Sequence, residues 1–217
     1  SARVAGEFRD ALGVFFEAMH SDNRISLVSF GGQPRILVDS TTNLDRLNTG
    51  LGQIFGFPGT AAYLLDAMSQ VAEGFLKRDI DRPVMLALAT EGIDYSNRSA
   101  RQVLNQLTES RAAFYALVID ERGNGSSDLN LSQAEIFRQE LERNIILERG
   151  PRDSGGKRRQ LLSSTALERA IEEIVIELKN QYLVTYARPN QLIPPEHFEV
   201  NVVKTGLTAR GTFLRDK

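Results

Sequence analysis

The side chains best placed for chemistry in this 217-residue chain are oxygen donors in two turns, Gly59-Thr60 and Glu91-Gly92-Ile93-Asp94-Tyr95-Ser96. Thr60 follows Gly59 at a helix start, where a Thr hydroxyl accepts a backbone N–H as an N-cap. Glu91 stands at a strand-to-helix turn, either as a solvated loop acid or as a charge favoured by a helix N-terminus. Asp94 and Ser96 are spaced to cap a helix starting near Arg98. Catalytic patterns are scarce by comparison. The two histidines, His20 and His197, lie in different expected elements, and neither has the partners of a triad or a zinc site. No Gly-x-Ser-x-Gly elbow occurs, and Gly50-Leu51-Gly52 sits in a helical pattern without the third glycine of a phosphate-binding turn. The neighbouring acids Glu140/Glu142 and Glu172/Glu173 do not share a helix face, so they form no catalytic dyad. Cysteine is absent, which excludes disulfides, thiolate catalysis and Cys-ligated zinc.

The elements that must position these turns alternate. Val4, Phe8, Leu12, Phe15, Phe16 and Met19 recur at helical spacing. Two short strands, 25–30 and 35–38, flank the Gly31-Gly32-Gln33-Pro34 turn. A helix capped by Thr42-Asn43 should end at Gly56, and the next should begin near Thr60 and bury Leu64, Leu65, Met68, Val71, Ala72 and Phe75. The apolar runs 84–89 and 113–119 read as strands covered on both faces, with a helix over 99–107 between them. Ser132 caps a helix through Ile146, followed by an irregular stretch from Gly150-Pro151 to Gly155-Gly156. Arg149, Arg152, Lys157, Arg158 and Arg159 read as part of a solvated loop there. A last helix presents Leu167, Ile171, Ile174, Val175 and Leu178; strands over 181–186, 198–203 and 207–213 close the chain. This order predicts an α/β protein with a mainly parallel sheet and helices on both faces, whose ligand edge carries the loops after the strands.

Composition narrows the partners. Lysine and arginine number 26 against 28 acids, a net charge of −2 without long single-sign runs, so nothing in the sequence asks for nucleic acid or an anionic membrane as partner. No apolar run is long enough to span a bilayer and no signal peptide is visible.

The stretch Phe57-Pro58-Gly59-Thr60-Ala61-Ala62-Tyr63-Leu64-Leu65-Asp66, together with Thr90-Glu91-Gly92-Ile93-Asp94 after a buried strand, resembles two of the three metal-site loops of a von Willebrand factor A (VWA) domain. Gln181-Tyr182-Leu183-Val184-Thr185-Tyr186 and Gly206-Leu207-Thr208-Ala209-Arg210-Gly211 narrow the resemblance to the VWFA-related Acidobacterial domain. The resemblance implies a Rossmann-like VWA core over residues 1–180 and a C-terminal strand and β-hairpin over 181–217 packed on it. It places Gly59, Thr60, Glu91, Gly92, Asp94 and Ser96 in partner-binding or metal-site loops, with Thr60 and Glu91 as metal positions. Glu91 departs from the family's usual Asp, and the Asp-x-Ser-x-Ser strand that supplies most ligands does not occur in the sequence. Mg²⁺ binding is therefore expected to be weak or absent unless an upstream strand restores the site. The gap between the flanking strands is expected to be filled by a strand outside this sequence, by another chain, or by direct pairing of those strands. The implied role is a non-enzymatic protein-binding or assembly module with a degenerate adhesion site, exported from a bacterium. A scaffold domain of a larger exported protein, or a hydrolase, are the alternatives.

Overall fold

A computed structural model of the chain describes residues 2–55, 62–120, 131–182, 184, 202–206 and 208–211. Helix α1 (Ala2–Met19) leads into an antiparallel pair, β1 (Ile25–Ser29) and β2 (Arg35–Thr41), and then α2 (Leu44–Leu51). After these come α3 (Leu64–Arg78), β3 (Val84–Thr90), α4 (Ala100–Ser110), β4 (Ala113–Ile119), α5 (Gln133–Asp153), β5 (Arg158–Leu161) and α6 (Leu167–Lys179). Strands β3, β4 and β5 form a parallel sheet in that order, with β4 in the middle. Every residue of β4 is buried, as its unbroken apolar run requires of a strand covered on both faces.

The alternation of side chains along these strands divides the core. Met85, Ala87, Phe114, Ala116 and Val118 face α3, α4 and α5, while Leu88, Tyr115, Leu117 and Ile119 face α1 and α6. A third cluster joins Phe16 of α1 to Leu27, Val38, Leu47 and Leu51, so α1 lies under both sheets at once. Among the described residues β1 bonds only to β2, and β3 only to β4 and not to β1. Direct pairing of the two flanking strands is thus not how the chain fills the position between them.

Helix α3 starts at Leu64, later than expected, and β2 runs on to Thr41; three further differences from the sequence expectation have physical reasons. Helix α2 stops at Leu51 with Gly52 as its C-cap, short of Gly56. Helix α5 continues past Ile146 to Asp153 and contains Pro151, which lacks the N–H for a bond to the Leu147 carbonyl and is held in the helix by its burial. Ser154 then ties the helix end to the sheet, its hydroxyl accepting the Phe114 N–H at 2.9 Å. The basic stretch expected as a loop holds strand β5, whose arginines alternate across the sheet. Arg158 pairs with Glu148 of α5, and Arg159 with Glu173 of α6.

The expected strand and hairpin of 181–213 lie largely outside the described residues. One described part of that segment touches the core: Arg210 donates to the Gly156 carbonyl and pairs with Glu177, which also accepts the Tyr115 hydroxyl at 2.7 Å. Burial, and then the Glu177 carboxylate, push the Tyr115 phenol up.

Gly156 admits β5 to the sheet. A Cβ there would stand 1.8 Å from the Phe114 carbonyl oxygen, a backbone atom that cannot move aside. Gly74, inside α3, has no such neighbour within 4 Å. Gly156→Ala should cost about 3 kcal/mol of stability by urea denaturation, whereas Gly74→Ala should add about 0.5–1 kcal/mol through helix propensity.

Candidate functional site

Helix α3 begins without a cap of its own. Its N-cap residue, Tyr63, makes no side-chain bond to the first turn. The missing acceptor comes from thirty residues away, where Asp94 takes the Leu64 N–H at 2.6 Å and the Ser96 N–H at 3.0 Å. Ser96 in turn accepts the Asp66 N–H at 3.0 Å, and the Asp66 carboxylate accepts the N–H groups of Asn97 and Arg98, each at 3.2 Å. The loop after β3 and the start of α3 therefore cap each other. Backbone bonds extend the link: Tyr95 donates to Ala62 at 2.8 Å, and Tyr63 donates to Phe30, at the end of β1, at 2.9 Å. At this edge the loops connect the two sheets.

Helix α5 secures the same edge from the side. Glu142 accepts the Ala100 N–H at the start of α4, which also has its own Ser99/Gln102 capping box. Arg143, only 5% exposed, donates to the carbonyl of Thr90 at the end of β3. Burial lowers the pKa of Arg143, and the charges of Asp94 and Glu91 act against that shift. Asp94 is itself buried, and desolvation holds its pKa above the usual carboxylate value despite its hydrogen bonds to Ser96 and Leu64.

The outer layer is open. Glu91 and Gly92 are exposed; the Glu91 N–H donates to Ile119 at 3.0 Å and its carboxylate accepts from Gln160 on β5. Gly92 has φ +147°, a conformation that glycine adopts without strain. Half-buried Tyr63 and Tyr95 stand with ring centroids 6.3 Å apart, beside exposed Asn97 and Arg98. A cleft lined by Asp66, Gln70, Asn97, Arg98 and Gln102 opens next to them.

Of the residues singled out from the sequence, Glu91, Gly92, Asp94 and Ser96 gather here, while Gly59 and Thr60 lie outside the described residues. Asp94 and Ser96 do cap a helix, but it is α3, and Ser99 caps the one starting near Arg98. Asp66 is part of the network as well. Tyr63, Tyr95 and Arg143 were not singled out. Arg143 left a signal: it falls seven residues after Ile136 and three and four before Ile146 and Leu147, a lone charge in the buried stripe of α5.

The same architecture occurs in solved structures. The chain superposes on a von Willebrand factor type A protein from Catenulispora acidiphila with a TM-score of 0.52 at 14% identity, covering 79% of this chain and 37% of that one. The fold is of the VWA type. Conserved hypothetical protein BatB from Bacteroides thetaiotaomicron gives a TM-score of 0.55 at 13% identity, covering 81% of this chain and 89% of its own. An aerotolerance-related membrane protein from Bacteroides fragilis gives 0.54 at 12%, covering 80% and 88%. No protein-family model and no curated protein matches the sequence. Among the described residues no helix is long and apolar enough to cross a membrane.

Within this VWA-type edge, Asp94 is the residue to test. Asp94→Ala removes a cap and leaves buried N–H groups without an acceptor, which should cost roughly 2–4 kcal/mol and lower the thermal midpoint by about 5–15 °C. Because the folded-state pKa of Asp94 is raised, the native state holds its proton more tightly than the unfolded chain. The stabilisation from this titration is complete below the ordinary carboxylate pKa and is lost as pH rises through the raised value. Urea denaturation across that range should show the stability of the wild type relative to Asp94→Asn falling as pH increases.

Proposed function

We propose that this chain is a non-enzymatic protein-binding or assembly module whose working surface is the loop edge built around Asp94. The observation that carries the reading is the way this surface is fixed. A buried ladder of hydrogen bonds immobilises the loops, so Glu91, Gly92, Asn97, Arg98 and the half-buried Tyr63–Tyr95 pair are presented without the cost of ordering a flexible loop. Tyrosine and arginine beside a polar rim suit protein recognition.

Donor chemistry supports a degenerate metal site. Both Asp94 oxygens already accept backbone N–H groups, Glu91 is engaged by Gln160, and Ser96 receives Asp66. Mg²⁺ asks for near-octahedral oxygens, one or two of them carboxylate, and the described donors do not fit that demand. The chemistry of the side chains also favours binding over turnover. The sequence has no cysteine, and His20 faces the Thr42 carbonyl at 3.1 Å, away from this edge.

Site-specific photocross-linking tests the proposal. A photoreactive residue at Asn97 should give a discrete protein adduct in native cells, while one at exposed Glu109, at the other end of α4, should not. Glu91→Arg should reduce the Asn97 adduct roughly tenfold, the effect of about 1.4 kcal/mol at a rim charge. Equal adducts from both ends, or hydrolase turnover abolished by substitutions at this edge, would refute the reading.

A further inference from the structure

At the end of the sheet opposite the loop edge, the C-terminal segment leaves the core and returns to it. Arg82, just before β3, donates to Gln181, just after α6, at 2.7 Å. The described residues on the path that follows, 182, 184, 202–206 and 208, are all exposed, Tyr182 at 93% and Val203 at 102%. The return is made at Arg210. One nitrogen of its guanidinium donates to the Gly156 carbonyl and another to Glu177 at 2.5 Å, and the side chain is only 34% exposed.

Both acceptors are fixed by the core and not by the arginine. Glu177 lies near the end of α6, and its other carboxylate oxygen accepts the hydroxyl of Tyr115, a buried residue of the central strand, at 2.7 Å. Gly156 is tied to the sheet through its neighbour, because the Lys157 carbonyl accepts the Ala116 N–H at 2.9 Å. A carbonyl before a strand and a carboxylate at a helix end therefore stand where two donors of one guanidinium reach both. A lysine ammonium is a compact point donor and does not offer that fork. The backbone after the arginine has a seat of its own. Gly155 has φ +79°, and a Cβ there would collide with the Gly211 carbonyl group, whereas a Cβ on Gly211 itself would meet nothing within 4 Å. The notch thus reads the arginine side chain and the backbone that follows it, and is indifferent to the side chain at 211.

We propose that the notch formed by Gly155, Gly156 and Glu177 is a peptide-binding site selective for an arginine-bearing segment, and that the chain's own residues 209–211 occupy it as a latch on the C-terminal segment. The site lies away from the loop edge and does not depend on the function proposed for that edge.

The test uses the full 217-residue chain, which has no cysteine, so a single Thr208→Cys substitution takes a fluorophore beside the latch. The anisotropy of this probe should be high in the wild-type background, and the restraint should be lost in Arg210→Ala and in Arg210→Lys. It should also be lost in Gly155→Asn, which sets a Cβ against the Gly211 backbone with a residue that tolerates positive φ. Gly211→Ala should leave it unchanged. A second arm offers the notch a labelled peptide, acetyl-Thr-Ala-Arg-Gly-Thr-amide. This should bind the Arg210→Ala chain at least about tenfold more tightly than it binds the wild type, whose site is filled, and about tenfold more tightly than the same peptide with lysine in place of arginine. A restraint that survives Arg210→Ala, Arg210→Lys or Gly155→Asn, or that is lost in Gly211→Ala, would overturn the proposal. So would a peptide that fails to bind the Arg210→Ala chain, or that binds equally well when Glu177→Ala is added. Should Arg210→Ala prove unfolded, the peptide is set against the wild-type latch, where it should lower the anisotropy of the Thr208→Cys probe; no fall at millimolar peptide overturns the proposal equally.

Discussion

The bond from Asp94 to the first turn of α3 is the contact on which the loop edge depends. An uncapped helix start leaves several backbone donors without partners, and Tyr63 offers none of the side-chain oxygens that usually meet that need. The acceptor arrives only when β3 and its loop are in place, so the first turn of α3 and the turn after β3 are completed together. Placing a carboxylate in this setting is costly. Desolvating an isolated charge costs several kcal/mol, while a charge-assisted hydrogen bond returns about 1.5–3 kcal/mol. Asp94 therefore needs both of its N–H donors, and the charge of Arg143 favours its ionised form more weakly. A neutral side chain at 94 would avoid the desolvation but could not accept both donors through two equivalent oxygens.

Much of the fold was legible because its strongest elements repeat simple periods. The run from Ala113 to Ile119 could only be an interior strand, and the three-and-four spacing of α1 and α6 left little choice of buried face. Strand β5 was hidden for a definite reason. Its Arg158 and Arg159 look like solvated loop residues, but each meets a glutamate on a different helix, which makes charged side chains tolerable on both sides of a short strand. The extension of α5 through Pro151 was hidden too, since a proline reads as a helix end in one dimension, while burial of Gly150 and Pro151 and the Ser154 bond to the sheet hold the last turn in three. At the site, residue type was informative and pairing was not. Asp and Ser before a helix announce capping, but nothing local says that the capped helix is the preceding one, thirty residues back. Arg143 could have been found by asking why a charge interrupts an apolar stripe.

The arrangement of the two sheets gives the loop edge a second role. Beneath the sheets, α1 contributes Phe16 to the core of the β1–β2 pair and Val4, Ala11 and Met19 to the core of the parallel sheet. Above them, Phe30, Tyr63, Ala62, Tyr95 and Asp94 form a hydrogen-bonded chain from the end of β1 to the loop after β3. The relation between the sheets is thus fixed at two places, by a helix across one face and by the loop ladder at one edge. Strand β3 has no charged side chain, whereas exposed sheet edges are commonly protected by charge, proline or a bulge. Its composition is that of an interior strand, although among the described residues it pairs on one side only. A strand of that composition is held in register chiefly by β4 and by what anchors its two ends. At its C-terminal end the anchors are Arg143 on the Thr90 carbonyl and Glu91 on Ile119, so the residues that shape the candidate binding surface also restrain a strand that, among the described residues, pairs on one side only.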